Sequence, residues 1–68
     1  MSSPIYKVTE VVGTSSQSVT DAIQNAISRT SSTVRNLRWF EVVEVRGEVA
    51  NAKVTHYQVK MKIGFTLE

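Results

Sequence analysis

Leu37-Arg38-Trp39-Phe40-Glu41-Val42-Val43-Glu44-Val45-Arg46-Gly47-Glu48-Val49, then Ala50-Asn51-Ala52, then Lys53-Val54-Thr55-His56-Tyr57-Gln58-Val59-Lys60-Met61-Lys62-Ile63-Gly64-Phe65-Thr66-Leu67 is the stretch that decides the fold. In its second half, Tyr57, Val59, Met61, Ile63, Phe65 and Leu67 alternate with His56, Gln58, Lys60, Lys62 and Thr66. A period of two is that of a strand with one face on a core and the other towards polar surroundings. The first half follows the same rule with one break, where the apolar parity passes from Phe40 and Val42 to Val43 and Val45. An extra residue near Val42-Val43, a β-bulge, restores a single apolar face and directs Trp39, Glu41, Glu44 and Arg46 to the polar one. Joined through Ala50-Asn51-Ala52, the strands Leu37–Val49 and Lys53–Leu67 predict a long antiparallel hairpin.

Working outward towards the start, Ile5 to Val12 is rich in β-branched residues, with Tyr6, Val8 and Val12 on one parity, and Gly13-Thr14-Ser15-Ser16 reads as the turn after a first strand. From Val19 the period changes. Val19, Ala22, Ile23, Ala26, Ile27, Thr30 and Val34 recur at spacings of three and four, the stripe of an amphipathic helix. Ser16 or Ser18 can cap its start, with Asp21 at capping-box spacing from Ser18. Arg35 suits the negative end of the helix dipole, and Asn36 tolerates the left-handed backbone that often ends a helix. The expected architecture is α+β, in the order β-α-β-β: a three-stranded antiparallel sheet with one helix packed on one face, in a single domain over residues 1–68. A helix of roughly 18 residues spans only ~27 Å. The hairpin overhangs it and needs a partner chain.

Size leads to the same expectation. The chain has 68 residues and no cysteine, and His56 is its only histidine. Disulfides, thiolate zinc sites and histidine clusters are therefore excluded as staples for a small core, and oligomerisation remains. No apolar run approaches the ~20 residues of a membrane-spanning helix, and Met1-Ser2-Ser3-Pro4 lacks the charged start of a signal peptide, so the expected setting is cytoplasmic without a membrane partner. Eight basic and six acidic residues are scattered along the chain. Nucleic-acid binding typically needs a clustered basic face, and no such partner is expected.

Three polar-face residues are candidates for a binding site. Trp39 is a large indole on the polar face, suited either to a subunit interface or to stacking against a flat ligand. Gln58 is either a solvated strand residue or a carboxamide offering both an acceptor and donors to a ligand edge. Arg46 has Glu44 and Glu48 two places either side and serves equally a carboxylate or a phosphate. His56 is a lone histidine without a nucleophile or an oriented base, which points away from catalysis.

Leu37-Arg38-Trp39-Phe40-Glu41-Val42, the Arg46-Gly47 pair, Tyr57-Gln58-Val59, the ending Gly64-Phe65-Thr66-Leu67-Glu68 and the early Val12-Gly13-Thr14-Ser15 together resemble the bacterial dodecins, in order and spacing and over nearly the whole chain. The resemblance implies a hollow homododecamer that stores and shields flavins, FMN or riboflavin, and catalyses nothing, with flavin pairs sandwiched between tryptophans at two-fold interfaces. Trp39 matches the stacking residue and Gln58 the residue that bonds the polar edge of the isoalloxazine ring. Arg46 matches an arginine associated with the phosphate-bearing part of nucleotide ligands, including coenzyme A in some members. Thr66 stands where several relatives carry a second arginine, which predicts that ring stacking outweighs phosphate binding. Arg38 replaces an aspartate common in the family. The rival readings are a small flavoenzyme or photoreceptor, and a structural, coenzyme A-binding or nucleic-acid-binding shell.

Overall fold

The computed structural model describes residues 3–67. Met1 and Ser2 of the opening segment and Glu68 of the Gly64–Glu68 ending lie outside the described residues. The elements run β1 (Tyr6–Ser15), α1 (Val19–Ser31), β2 (Leu37–Ala50) and β3 (Lys53–Thr66), the β-α-β-β order read from the sequence. All pairing is antiparallel, and the strand order is β1-β3-β2, so the last strand is the central one.

The hairpin closes through two residues, Asn51 and Ala52, both left-handed at φ 54° and 62°. This is the primed geometry that matches strand twist in tight hairpins. Leading into it, β2 and β3 keep their pairing with three register shifts. The shift between Val42 and Glu44 makes Val43 the extra residue, the bulge demanded by the parity break. Phe40, Val42 and Val45 consequently stand opposite Ile63, Met61 and Val59, while Glu41, Glu44 and Arg46 stand opposite Lys62, Lys60 and Gln58. A second shift makes Arg38 an extra residue between Leu37, opposite Phe65, and Trp39, opposite Gly64.

Helix α1 starts as expected and stops early. Ser18 is its N-cap, its hydroxyl accepting from the Asp21 N–H at 2.9 Å. Asp21 does not complete a capping box: its carboxylate accepts from the Ser15 hydroxyl at 2.6 Å, and that hydroxyl in turn accepts from Gln17 N–H at 2.9 Å. The helix ends at Ser31 rather than near Arg35, with Ser32 as its C-cap. The hydroxyls of Ser31 and Ser32 donate to the carbonyls of Ser28 and Arg29 at 2.7 and 2.6 Å, so the last turn is satisfied locally instead of by further helix. Asn36 does adopt the left-handed conformation, φ 67°, but in the link to β2 and not at the helix end.

Gly13 belongs to β1 and not to a turn: Gly13, Thr14 and Ser15 pair with Val59, Gln58 and Tyr57. The glycine is there because α1 crosses at that point, where an added Cβ would collide with the Ala22 carbonyl oxygen and come within 2.9 Å of the Ala26 methyl. Contact this close lets Ala22 and Ala26 pack with Val59, Met61 and Ile63 into the buried core, flanked by Val11, Val19, Ile23, Ile27 and Leu37. The helix thus covers β1 and β3. Phe40, Val42 and Val45 lie on the same side of the sheet, Phe40 in a cleft beside Ile23 and Ile27 of the helix, and remain exposed, in a subunit 56 Å long and 14 Å thin. Tyr6, Val8 and Val12 also remain exposed. They stand opposite Thr66, Gly64 and Lys60, which places them on the face away from the helix.

Candidate functional site

The face away from the helix carries all three sequence candidates. The register sets Trp39 opposite Gly64 and Arg46 opposite Gln58, on the side of the even residues of β3. Arg38 is what separates Trp39 from Leu37. Positions two apart on a regular strand share a face; the inserted residue sets Leu37 towards the core and Trp39 on the opposite side.

Gly64 then gives the indole its resting place. A Cβ at Gly64 would overlap Cε2, Cζ2 and Cδ2 of Trp39, the ring-fusion carbons and their neighbour, so the ring lies directly over the glycine backbone. Tyr6 flanks it edge-on, with ring centroids 6.2 Å apart and planes at 61°, a favourable T-shaped arrangement. The indole is 40% exposed. Backing from the sheet and support at one edge leave an aromatic surface turned outward. Gly64 was read only as part of the family ending, although an isolated glycine within a strand is itself a sign of close approach.

Arg46 and Gln58 form a second centre on this face. The Arg46 Nε–H donates to Gln58 Oε1 at 3.2 Å. Next along the hairpin, His56 stands opposite Glu48, its Nδ1 3.8 Å from Glu48 Oε1. Between the two centres, Glu41 faces Lys62 and Glu44 faces Lys60, so charges of both signs interleave along the strip. Gly64 and Gln58 are six residues apart on β3, roughly 20 Å at strand rise. A single chain therefore holds its indole and its carboxamide too far apart to touch the same ring system.

A broader groove than the cleft of about 260 Å³ beside Trp39 lies elsewhere. About 710 Å³ in volume, it runs along the edge of β1 and the later turns of α1, past Gly13, Asn25 and Arg29. None of the three candidates lines it. Among the described residues, no three or more His, Cys, Asp or Glu side chains gather into a metal-binding group, and no helix is long and apolar enough to cross a membrane.

Residues 5–68 match the family model described as Dodecin. The chain belongs to the dodecin family. It is 48% identical over 64 residues to the dodecin of Thermus thermophilus, covering 94% of this chain and 93% of that one. The solved dodecin of Streptomyces coelicolor superimposes with a TM-score of 0.94 at 53% identity, covering all of this chain and 97% of that one. A more distant relative, the calcium dodecin of Mycobacterium tuberculosis, is 30% identical over 63 residues, covering 93% of this chain and 89% of that one. The dodecin fold is thus common to chains that differ at nearly half their positions, and the β-α-β-β subunit with its helix on one face is the shared frame.

Proposed function

We propose that the protein is a non-catalytic flavin store: a homododecamer that holds FMN or riboflavin in pairs between the Trp39 indoles of two copies. The observation that carries this reading is the indole lying over Gly64 and still 40% exposed. A flat, electron-poor tricycle is a natural occupant of such a surface, and aromatic stacking adds about 0.5–1.5 kcal/mol beyond area burial. The roughly 20 Å between indole and carboxamide supports an inter-subunit site, because a ring that meets both must take Trp39 from one copy and Gln58 from another. Apolar rows left open on both faces of the subunit favour burial by further copies, as closed symmetric assembly provides.

In this site Trp39 stacks on the ring, Gln58 bonds its edge of alternating C=O and N–H groups, and Arg46 stands beside Gln58 with donors to spare for a phosphate-bearing chain, coenzyme A included. Two rings between two indoles leave no open ring face for a substrate, which disfavours a flavoenzyme. The interleaved Glu41–Lys62 and Glu44–Lys60 partners disfavour nucleic acid.

Titration of flavin into the protein, followed by visible absorption and fluorescence, tests the reading. Bound flavin should be almost dark, since an indole in contact can donate an electron to the excited ring. Trp39→Ala should weaken binding by about tenfold to a hundredfold, from the loss of 1–3 kcal/mol of stacking. The flavin that still binds should regain fluorescence. Gln58→Ala should weaken binding and leave it dark. A Trp39→Ala variant that binds as tightly and as darkly as the parent overturns the sandwich.

A further inference from the structure

We propose that Arg46 acts on the flavin ring through Gln58, as a positioning residue that fixes which way the Gln58 carboxamide faces. The inference rests on the flavin reading above and adds the direction of hydrogen bonding at the ring edge. A surface arginine with Glu44 and Glu48 two places either side would by default turn to those carboxylates. Here its Nε–H instead reaches the neutral Gln58 Oε1, directly across the strand pair, at 3.2 Å.

That bond removes a freedom the carboxamide otherwise has. Its two ends are nearly the same size, and either can face a ligand if nothing else discriminates between them. A guanidinium has five N–H donors and no acceptor, so only the oxygen end can lie against it. Turning the amide by half a revolution would set N–H against N–H beside a fixed positive charge. Arg46 therefore holds Nε2 directed away from itself. One of the two lone pairs of Oε1 is occupied, and the group offered outward is the pair of N–H donors. Bonding of the oxygen to a cation also polarises the amide and strengthens those donors. The ring edge is then met by Nε2 at one of its carbonyl oxygens, C2=O or C4=O in a flavin, and the second lone pair of Oε1 is left for the N3–H between them. Four guanidinium N–H groups remain for a phosphate, so the two roles of Arg46 are separable by ligand.

Lumiflavin, the same ring without ribityl chain or phosphate, separates them. Lumiflavin affinity is measured for the assembled parent, Arg46→Met, Gln58→Ala and the double variant, with particle size checked by light scattering. Arg46→Met should weaken lumiflavin binding by about threefold to tenfold, the range for one lost net hydrogen bond. In the Gln58→Ala background the same change should have no effect. An Arg46→Met variant that loses FMN affinity and keeps lumiflavin affinity would show that the arginine serves only the phosphate, overturning the inference. Equal loss with and without Gln58 would show a direct or merely structural role, with the same result. Should either variant fail to assemble, infrared spectra of [2-13C]- and [4-13C]-lumiflavin bound to the parent decide: a carbonyl stretch lowered relative to water supports donation from Nε2, and unshifted carbonyls overturn it. A parent that binds no flavin of any kind overturns the flavin reading itself, which the cycle alone cannot do.

Discussion

Val59, Met61 and Ile63 on β3 and their partners Val45, Val42 and Phe40 on β2 lie side by side on one face of one sheet. The first three are fully buried, whereas the second three are 40–49% exposed. Chemistry does not separate the two groups, since both are rows of apolar residues at strand period. The position of α1 does: thirteen residues of helix, seated on β1 through Gly13, cover two strands and stop short of the third. A sequence pattern thus records that a face is to be buried but not by what, and a row left open in the subunit is an instruction addressed to another copy.

The strongest way to break this comparison is to place a charge in the open row. Val45→Asp should abolish assembly if a neighbouring copy buries that row, because an unpaired buried carboxylate costs several kcal/mol, and light scattering should report a particle reduced to small species. An unchanged particle would mean that the open row faces water. Truncation in the closed row should act within the subunit. Met61→Ala, at a fully buried position, should lower the unfolding free energy by about 2–5 kcal/mol in denaturant titrations at fixed protein concentration.

Smaller effects sharpen the contrast at the ends of the hairpin. Gly64→Ala should lift the indole off its seat and weaken flavin binding by about 1–3 kcal/mol, close to the cost of removing the stack, with the particle size retained. If flavin titration finds the affinity unaltered, the ring does not depend on its glycine seat. Ala52→Gly, at φ 62°, should stabilise by about 0.5–1 kcal/mol, since alanine is strained in the left-handed region and the preferred two-residue turn is Asn-Gly. A midpoint that stays put or falls in thermal unfolding would show that the turn carries no such strain.

Much of this was legible beforehand, and the misses have physical causes. The parity break at Val42-Val43 exposed one bulge and thereby the shared face of Trp39 and Arg46, because a period of two tolerates no silent insertion. The bulge at Arg38 was not legible, since a single residue between Leu37 and Trp39 leaves no run of parity to break. The helix was read too long because Thr30 and Val34 continue its stripe. Pattern does not reveal that Ser31 and Ser32 bond backwards to the last carbonyls and end it. Gly13 was read as a turn because glycine marks turns and close packing alike, and only the helix lying above it separates the two. Trp39, Gln58 and Arg46 could be named from sequence and resemblance, but the distance that keeps Trp39 and Gln58 of one chain apart came from register.

On a ribosome, the strand that both others need is the last of the three to appear. β1 pairs with β3 over long separations, Val11 and Met61 standing fifty positions apart, and β1 and β2 never pair with each other. At roughly 5–20 residues per second, β2 waits for about one to three seconds while β3 is made, and β1, finished at Ser15, several times longer. Two unpaired strands with apolar rows on offer are then exposed to the wrong neighbours. Lys7, Glu10, Glu41, Glu44 and Arg46, set at intervals along those strands, are charges of the kind that discourage such pairing. Those charges are in place before there is a sheet for them to decorate.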